Sequence, residues 1–277
     1  MSHFAVGVFT KSGSEWEIEE ALEPYQENNM DNCPSEYLEF YSDEEEGKNK
    51  YENESQEMFL KPNGEYDFKW NVDLEEELPM ILDSQPKKKV VPFKELYKDF
   101  DEFMQKWYGT QKDYEKDEYG YWENPNAKWD WYVIGGRWEG SIKTFDGLEV
   151  NTCLASDIVV TDNEEYQSKI RFWELVVEDD EPKNEHEKEM KNLTFYSPKY
   201  YTELYESKED YAERTSKFYT YAFLTVDGEW NEPGEMGWFA LSNETQDSKR
   251  EYEEAFFKYL EYAKENDLYL TVVDCHI

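Results

Sequence analysis

The chain has 277 residues, of which 66 are Asp or Glu and 29 are Lys or Arg, so its formal net charge is -37. Aromatic residues make up 18% of the chain, with 10 Trp, 23 Tyr and 16 Phe. Acidic chains that stay disordered are usually poor in aromatic residues, so this composition predicts a folded protein with a strongly negative surface. Such a surface repels nucleic acid, nucleotides and acidic membranes, and it attracts basic surfaces.

Membrane insertion and secretion are not indicated by the sequence. No stretch approaches the roughly 20 apolar residues of a membrane span. The first ten residues have neither a basic region nor a long apolar region of the kind found in signal peptides. Cys33, Cys153 and Cys275 are odd in number and lack short spacing, so they do not form a disulfide framework. We therefore expect a cytoplasmic protein.

The first 60 residues begin with apolar segments and become very acidic. The apolar run at residues 4–9 (FAVGVF) predicts a buried strand, and residues 14–22 predict a helix. From residue 42 to residue 57 the chain is almost entirely polar, which predicts an exposed helix or a mobile insert. Residues 1–60 hold 16 acidic and 3 basic residues, so about a third of the net charge lies in this part.

A basic linker and an amphipathic helix are predicted next. Residues 87–89 are three lysines between Pro86 and Pro92, which favours a solvated linker over a contact with an acidic partner or subunit. Pro92 suits the first turn of a helix that Gly109 would cap at its end. The helix over residues 92–109 presents one apolar stripe, which is typical of core packing: Phe93, Leu96, Tyr97, Phe100, Phe103, Met104 and Trp107.

The second half predicts a hairpin, several helices and three strands. Residues 141–145 and 148–152 flank Asp146-Gly147, a favourable hairpin turn. Helix starts are predicted by capping pairs three residues apart: Thr161 with Glu164, Ser207 with Asp210, and Ser248 with Glu251. The helix that follows Ser248 has one apolar face. Strands are predicted over residues 219–226, 238–241 and 268–273.

Strands at both chain ends with helices between them predict an α+β fold. We expect a mixed or antiparallel sheet that contains both termini and is flanked by amphipathic helices. The main domain would comprise residues 1–38 and 90–277, with a helical arm near residues 180–218 as a possible division. Residues 39–89 would form an acidic insert followed by the lysine-rich linker.

The densest local motif is residues 124–138, NPNAKWDWYVIGGRW. Its aromatic residues bury a large area, and adjacent glycines permit backbone angles that side chains forbid. In one interpretation the Gly135-Gly136 amides bind an anion with help from Arg137, which requires a glycine turn that opens a helix. In the favoured interpretation this is a bulged or tightly turned core strand, with Arg137 stacked on a ring. The candidate residues of the motif are Trp129, Asp130, Trp131, Tyr132, Gly135, Gly136, Arg137 and Trp138.

The C-terminal residues Asp274, Cys275 and His276 are candidates for metal or thiol chemistry. Adjacent strand residues point to opposite faces, so Cys275 and His276 cannot both bind one ion without a twist. His3 would lie nearby if the terminal strands pair. The favoured interpretation is a packed terminal strand.

Motifs of known enzymes are missing from the sequence. It has no serine nucleophile elbow, no phosphate loop and no HExxH metal motif. We therefore expect a protein that is not an enzyme and needs no cofactor or metal. The alternative is a hydrolase or metal-dependent enzyme that uses the aromatic region 129–138 with Asp130, Arg137 and His276. A third hypothesis is an acidic scaffold whose charge serves only solubility.

Six short motifs, distributed along the whole chain, resemble those of a known group of proteins. They are SHFAV at residues 2–6, NPNAKWDWY at 124–132, GGRW at 135–138, DGEW at 227–230, GEMGW at 234–238 and VDCHI at 273–277. In this combination the chain resembles a group of bacteriophage accessory proteins. Within that group it is most similar to the Gabija anti-defence proteins, phage inhibitors of a bacterial nuclease–helicase immunity complex.

The resemblance implies binding without catalysis. Such inhibitors are homo-oligomers that clamp the defence complex and block its access to DNA. It therefore implies a partner that is a nuclease–helicase complex, with no direct contact to nucleic acid or membrane. The resemblance assigns no interface residues, and it gives no role to the acidic stretch 39–67. Electrostatic attraction to a basic partner would mainly speed association and add specificity.

Overall fold

A computed structural model describes residues 2–61, 64–69, 87–194, 196–235 and 242–277. The strand predicted over residues 238–241 lies outside the described residues, as do residues 70–86 of the predicted insert. The chain divides into two compact units. We call Met1–Cys33 together with Asn126–Ile277 the main unit, and Pro34–Pro125 the inserted unit.

The described elements are named in chain order. The strands are β1 (His3–Thr10), β2 (Glu39–Ser42), β3 (Ser55–Leu60), β4 (Tyr66–Asp67), β5 (Lys88–Pro92), β6 (Gln111–Asp113), β7 (Glu118–Glu123), β8 (Trp131–Ile134), β9 (Ile142–Lys143), β10 (Glu149–Val150), β11 (Thr152–Leu154), β12 (Ala222–Leu224), β13 (Trp230–Asn231) and β14 (Tyr269–His276). The helices are α1 (Glu15–Leu22), α2 (Glu44–Asn53), α3 (Phe93–Leu96), α4 (Phe100–Phe103), α5 (Asn163–Val176), α6 (Glu185–Asn192), α7 (Pro198–Leu204), α8 (Lys208–Thr215) and α9 (Gln246–Glu265).

The main unit is built on a mixed sheet that contains both chain ends. Its strand order is β11-β14-β1-β12-β13, and β8 also pairs with β14. Strand β1 runs antiparallel to β14, from His3 opposite His276 to Thr10 opposite Tyr269, and parallel to β12. The predicted α+β fold with a sheet formed by both termini is therefore confirmed.

The alternation of side chains along β1 divides the core of the main unit into two layers. Ala5 and Phe9 point to one face of the sheet, where they pack with Phe256 and Leu260 of α9. Phe4, Val6 and Val8 point to the other face and pack with Ile18 and Leu22 of α1. Burying each such large side chain stabilises the fold by roughly 1.5–3 kcal/mol.

Helices α5 to α8 form a smaller cluster within the main unit. Its buried side chains include Trp173, Leu175, Val176, Tyr201 and Tyr211. This cluster covers the region in which the sequence predicts a helical arm over residues 180–218.

The inserted unit has its own aromatic core, in which Phe93, Phe103, Met104 and Tyr119 are buried. Its described strands form two three-stranded sheets, β2-β7-β6 and β4-β3-β5. The unit spans Pro34–Pro125. It thus contains the predicted insert, residues 39–89, together with residues 34–38 and 90–125, which the sequence places in the main domain.

The predicted helix over residues 92–109 is interrupted, so the prediction of one continuous helix is wrong. Tyr97 is extended, with φ -121° and ψ 144°, and ends α3. Asp99 then caps α4 by accepting a hydrogen bond from the Glu102 amide. The side chain of Asp99 competes with helical backbone bonding and restarts the helix. Four residues of the apolar stripe are nevertheless buried, and Leu96, Phe100 and Trp107 are partly buried against them. Gly109 ends the π-helical turn Met104–Tyr108 in the left-handed conformation, with φ 73°.

Several predicted helix starts differ in position by a few residues. Ser207 caps α8 and accepts from the Asp210 amide, as predicted. Helix α5 is instead capped by Asp162, and α9 by Thr245, which forms a capping box with Ser248. Asp162 thus replaces the predicted Thr161, and Thr245 replaces the predicted Ser248, because each of these side chains accepts from a free amide of the first helical turn.

Candidate functional site

The pairing of three strands brings two histidines and a tryptophan into one row. His3 of β1 lies opposite His276 of β14, and Trp131 of β8 lies opposite His276 on its other side. The rings of His3 and His276 are 5.0 Å apart in an edge-to-face arrangement. Trp131 stacks on His276 with centroids 5.0 Å apart and remains 42% exposed. The row therefore opens to solvent at Trp131.

Each histidine is held by an aspartate. His3 Nδ1 lies 2.8 Å from Asp274 Oδ1, and His276 Nδ1 lies 2.6 Å from Asp130 Oδ1. The Asp130 amide also donates to the His276 carbonyl oxygen over 2.9 Å. A carboxylate accepts only, so each ring donates from Nδ1, which in the neutral tautomer leaves Nε2 as an acceptor. We call His3, Asp130, Trp131, Asp274 and His276 the histidine cluster.

The Gly135-Gly136 turn binds the carboxylate of Asp274. Gly135 and Gly136 have φ of 75° and 53°, and the Arg137 amide donates to Asp274 Oδ2 over 3.0 Å. A Cβ atom on Gly136 would lie 2.5 Å from the Asp274 side chain. The second glycine is therefore required for this close approach. The interpretation in which the Gly135 and Gly136 amides bind an anion therefore does not hold as stated: the Gly135 amide donates to the Val272 carbonyl oxygen, and the amide that meets a carboxylate is that of Arg137.

Arg137 does not stack on a ring of any described residue, in contrast to the favoured interpretation. Its side chain is exposed. Strand β8 precedes the two glycines, and a short 3-10 helix, Gly136–Trp138, follows. The glycines therefore do not begin a long helix of the kind that binds anions at its N-terminus. Trp138 packs against the core layer that contains α9.

The remaining motif residues lie on the other face of the sheet. Trp129 is buried and its Nε1 donates to the Leu22 carbonyl oxygen over 3.0 Å, while Tyr132 packs edge-to-face on it. Cys275 is buried in the same layer, and burial raises the pKa of its thiol well above its usual value. Cys275 and His276 therefore point to opposite faces, as the strand pattern predicts. The thiol is neither ionised nor accessible for chemistry with His276.

A cleft of about 310 Å³ adjoins the histidine cluster. His3 lies in its wall with Trp138, Ser141, Tyr219 and Tyr221. The Ser141 Oγ atom is buried and makes no hydrogen bond with the described residues. Burial raises the pKa of Tyr219 to about 12, with a further contribution from Glu253, so this phenol stays protonated at neutral pH. The cleft can therefore offer a histidine nitrogen and a hydroxyl beside aromatic walls.

Sequence reasoning singled out most of the histidine cluster but missed Ser141. His3 was considered only through the expected pairing of the terminal strands, which the register confirms. Ser141 carries no local signal, because a single serine before a short strand is common in any fold. Its position in the cleft depends on strand pairings that are distant in sequence.

Metal and membrane sites are not indicated in the described part of the chain. Among residues 2–61, 64–69, 87–194, 196–235 and 242–277, no three His, Cys, Asp or Glu side chains are grouped so as to hold a metal ion. In the same ranges every helix is too short or too polar to cross a membrane.

The geometry combines two histidine–aspartate pairs, an exposed tryptophan and a neighbouring aromatic cleft. Histidine–aspartate pairs serve in enzymes and also in structural hydrogen-bond networks, so they do not define one activity. Comparisons with protein-family models, with curated proteins and with solved structures find no match for this chain.

Proposed function

We propose that the chain is a non-enzymatic inhibitor of a bacterial anti-phage defence complex. It would bind the nuclease–helicase complex as a homo-oligomer and block access to DNA. The sequence motifs that resemble the Gabija anti-defence proteins support this proposal. The observation that carries it is a net negative charge on both compact units, which fits a partner whose own surface is basic because it handles DNA.

The two compact units carry similar net charge per residue, although the first 60 residues are the most acidic part of the chain. The inserted unit has 92 residues with 25 acidic and 12 basic side chains, a net charge of -13. The main unit has 185 residues with 41 acidic and 17 basic side chains, a net charge of -24. Both units therefore contribute to the field in proportion to their length. Even if every basic side chain paired with one carboxylate, 37 carboxylates would remain for solvent or a partner.

Helix α1 illustrates how these carboxylates are displayed. It buries Ile18 and Leu22 and exposes Glu15, Glu19 and Glu20, and it contains no basic residue. The helix thus uses its apolar face for the core and its acidic face for solvent. Charges arranged in this way speed the approach of a basic protein and repel DNA, so the chain would bind the nuclease and not the nucleic acid.

The proposal is tested by inhibition of a purified Gabija-type nuclease–helicase complex. We expect the chain to co-elute with the complex and to stop DNA cleavage at a fixed stoichiometric ratio. We expect the affinity to fall at least about tenfold between about 50 mM and about 0.5 M salt, because screening weakens attraction between exposed charges. Absence of both co-elution and inhibition at molar excess would overturn the proposal. An affinity independent of salt would remove its electrostatic basis.

A hydrolase is the second candidate, and the His3–Asp274 pair beside the cleft favours it. A histidine oriented by a buried carboxylate can act as a general base. An enzyme would inactivate the defence complex at substoichiometric amounts with a dependence on time, and His3→Gln would abolish the effect. A stoichiometric end point that His3→Gln leaves unchanged would exclude this candidate.

A further inference from the structure

One face of the β2–β7 pair combines two tyrosines with two glutamates. Tyr41 lies opposite Tyr121, and Glu39 lies opposite Glu123. Residues two apart on a strand share a face, so all four side chains lie on the same side of the sheet. Tyr41 is 38% and Tyr121 is 46% exposed, and both glutamates are exposed as well. We call these four residues the tyrosine–glutamate face.

The two tyrosine rings stack on each other with nearly parallel planes. Their centroids are 5.8 Å apart and their planes differ by only 19°. Burial, followed by the charge of Glu123, raises the pKa of the Tyr121 phenol, which therefore stays neutral. The face of a neutral phenol ring is electron-rich and attracts cations.

The two glutamates stand directly opposite each other. Like charges in this position destabilise a pair of strands. In the residues that the structure describes, neither Glu39 nor Glu123 forms an ion pair with a basic side chain. A cation placed between them would remove the repulsion and contact the tyrosine rings at the same time.

The opposite face of the same strands already has its own cation. There Phe40 lies opposite Trp122, and Lys116 lies over the Trp122 ring at 5.5 Å from the centroid. The Trp122 Nε1 atom donates to Asp113 over 2.8 Å. Among the described residues, a lysine thus lies on one aromatic face of this sheet, and no basic side chain pairs with the tyrosine–glutamate face.

We propose that the tyrosine–glutamate face binds an arginine side chain of a protein partner. A guanidinium group is planar, so it can stack on the tyrosine rings while its N–H groups donate to Glu39 and Glu123. Lysine offers a point charge without the planar fork and would bind more weakly. This proposal rests on the proposed function, because it names one contact by which a basic partner is held.

The direct test uses fluorescently labelled peptides of alternating glycine with arginine or with lysine. The site variant is Glu39→Gln with Glu123→Gln, and the control is Glu251→Gln with Glu254→Gln on the exposed side of α9, which changes the net charge equally. We expect the site variant to bind the arginine peptide about tenfold more weakly and the control to differ less than about twofold. We also expect wild type to prefer arginine over lysine.

Each outcome of this test supports or overturns the proposal. Equal weakening in both variants would mean that only net charge matters, and equal affinity for the two peptides would exclude guanidinium recognition. The site variant should remain folded, because it removes a repulsive pair. Tyr41→Ala should weaken arginine binding without any change in charge.

The proposed function is tested separately with the same variants. If the site variant loses peptide binding but wild type does not inhibit the nuclease complex, the arginine site stands and the proposed function fails. If wild type inhibits and the site variant inhibits equally well, the proposed function stands and this face is not the contact.

Discussion

His3 and Asp274 lie 271 positions apart in the chain and meet through a contact of 2.8 Å between Nδ1 and Oδ1. The second oxygen of Asp274 accepts from the Arg137 amide over 3.0 Å. One buried carboxylate thus joins the first strand, the last strand and the Gly135-Gly136 turn. Only 4% of its side chain is exposed, so neither contact can be replaced by bulk water.

We therefore expect Asp274→Ala to destabilise the protein by about 3 kcal/mol, because it leaves the Arg137 amide and His3 without their buried acceptor. Asp274→Asn should cost less, since an amide oxygen can still accept from Arg137. Urea unfolding measures both changes. Asp247→Ala, at an exposed carboxylate paired with Arg250, is the control and should have little effect. Equal stability of Asp274→Ala and the control would contradict this role.

Substitution of Gly136 should also lower the free energy of unfolding, for a reason that a control glycine can separate. Gly136→Ala should destabilise the protein more than Gly147→Ala, although both glycines have positive φ. At Gly147 a Cβ atom meets nothing within 4 Å, so that variant measures the backbone cost alone, about 1–2 kcal/mol. At Gly136 the Cβ atom would also collide with Asp274. Denaturant midpoints measure the difference, and equal losses in the two variants would show that the turn can move away from the carboxylate.

The sequence predicts which strands and helices form better than it predicts where each of them begins, ends or is interrupted. The apolar runs at both chain ends specify β1 and β14, because buried strands are continuous in hydrophobicity. Helix starts were misplaced where two capping side chains compete, as at Thr245 and Ser248. The interruption at Tyr97 was not predictable from periodicity, since the apolar stripe continues across the break.

The candidate site was predicted in part for a similar reason. Pairing of the terminal strands places His3 next to His276, and strand alternation separates Cys275 from both. The contact between the Arg137 amide and Asp274 could not be foreseen, because the two residues lie 137 positions apart. Such contacts depend on the path of a turn in three dimensions, which local patterns do not encode.

The ion pairs of Arg171 should make the free energy of unfolding depend on pH in the acidic range. Its hydrogen bonds lower the pKa values of Glu187, Asp180 and Glu174. These three carboxylates therefore bind protons less tightly in the folded state than in the unfolded state. Their ion pairs with Arg171 stabilise the fold fully above the unfolded pKa values, near pH 4. The stabilisation is lost as the pH falls through the lowered pKa values of the folded state. We expect Arg171→Met to flatten this part of the pH dependence.

The measurement is the free energy of unfolding of wild type and Arg171→Met from about pH 7 to about pH 3, across the range in which carboxylates titrate. Comparison of the two proteins cancels the general relief of repulsion as the remaining carboxylates are protonated. Arg250→Met is the control, because among the described residues Arg250 pairs only with the exposed Asp247. Parallel curves for wild type and Arg171→Met would contradict the prediction.

The main unit should fold without the inserted unit. Among the residues that the structure describes, both layers of its sheet core are formed by residues from Met1–Cys33 and Asn126–Ile277. The two chain segments that flank the insertion are already paired, since the Glu27 amide donates to the Trp129 carbonyl oxygen over 2.7 Å. We therefore expect replacement of Pro34–Pro125 by a short glycine–serine linker to leave one cooperative thermal transition.

A matched truncation that also removes β1 should not fold, because β1 is the partner of both β12 and β14. Loss of cooperative unfolding in the linker variant that keeps β1 would show that the main unit needs residues of the inserted unit.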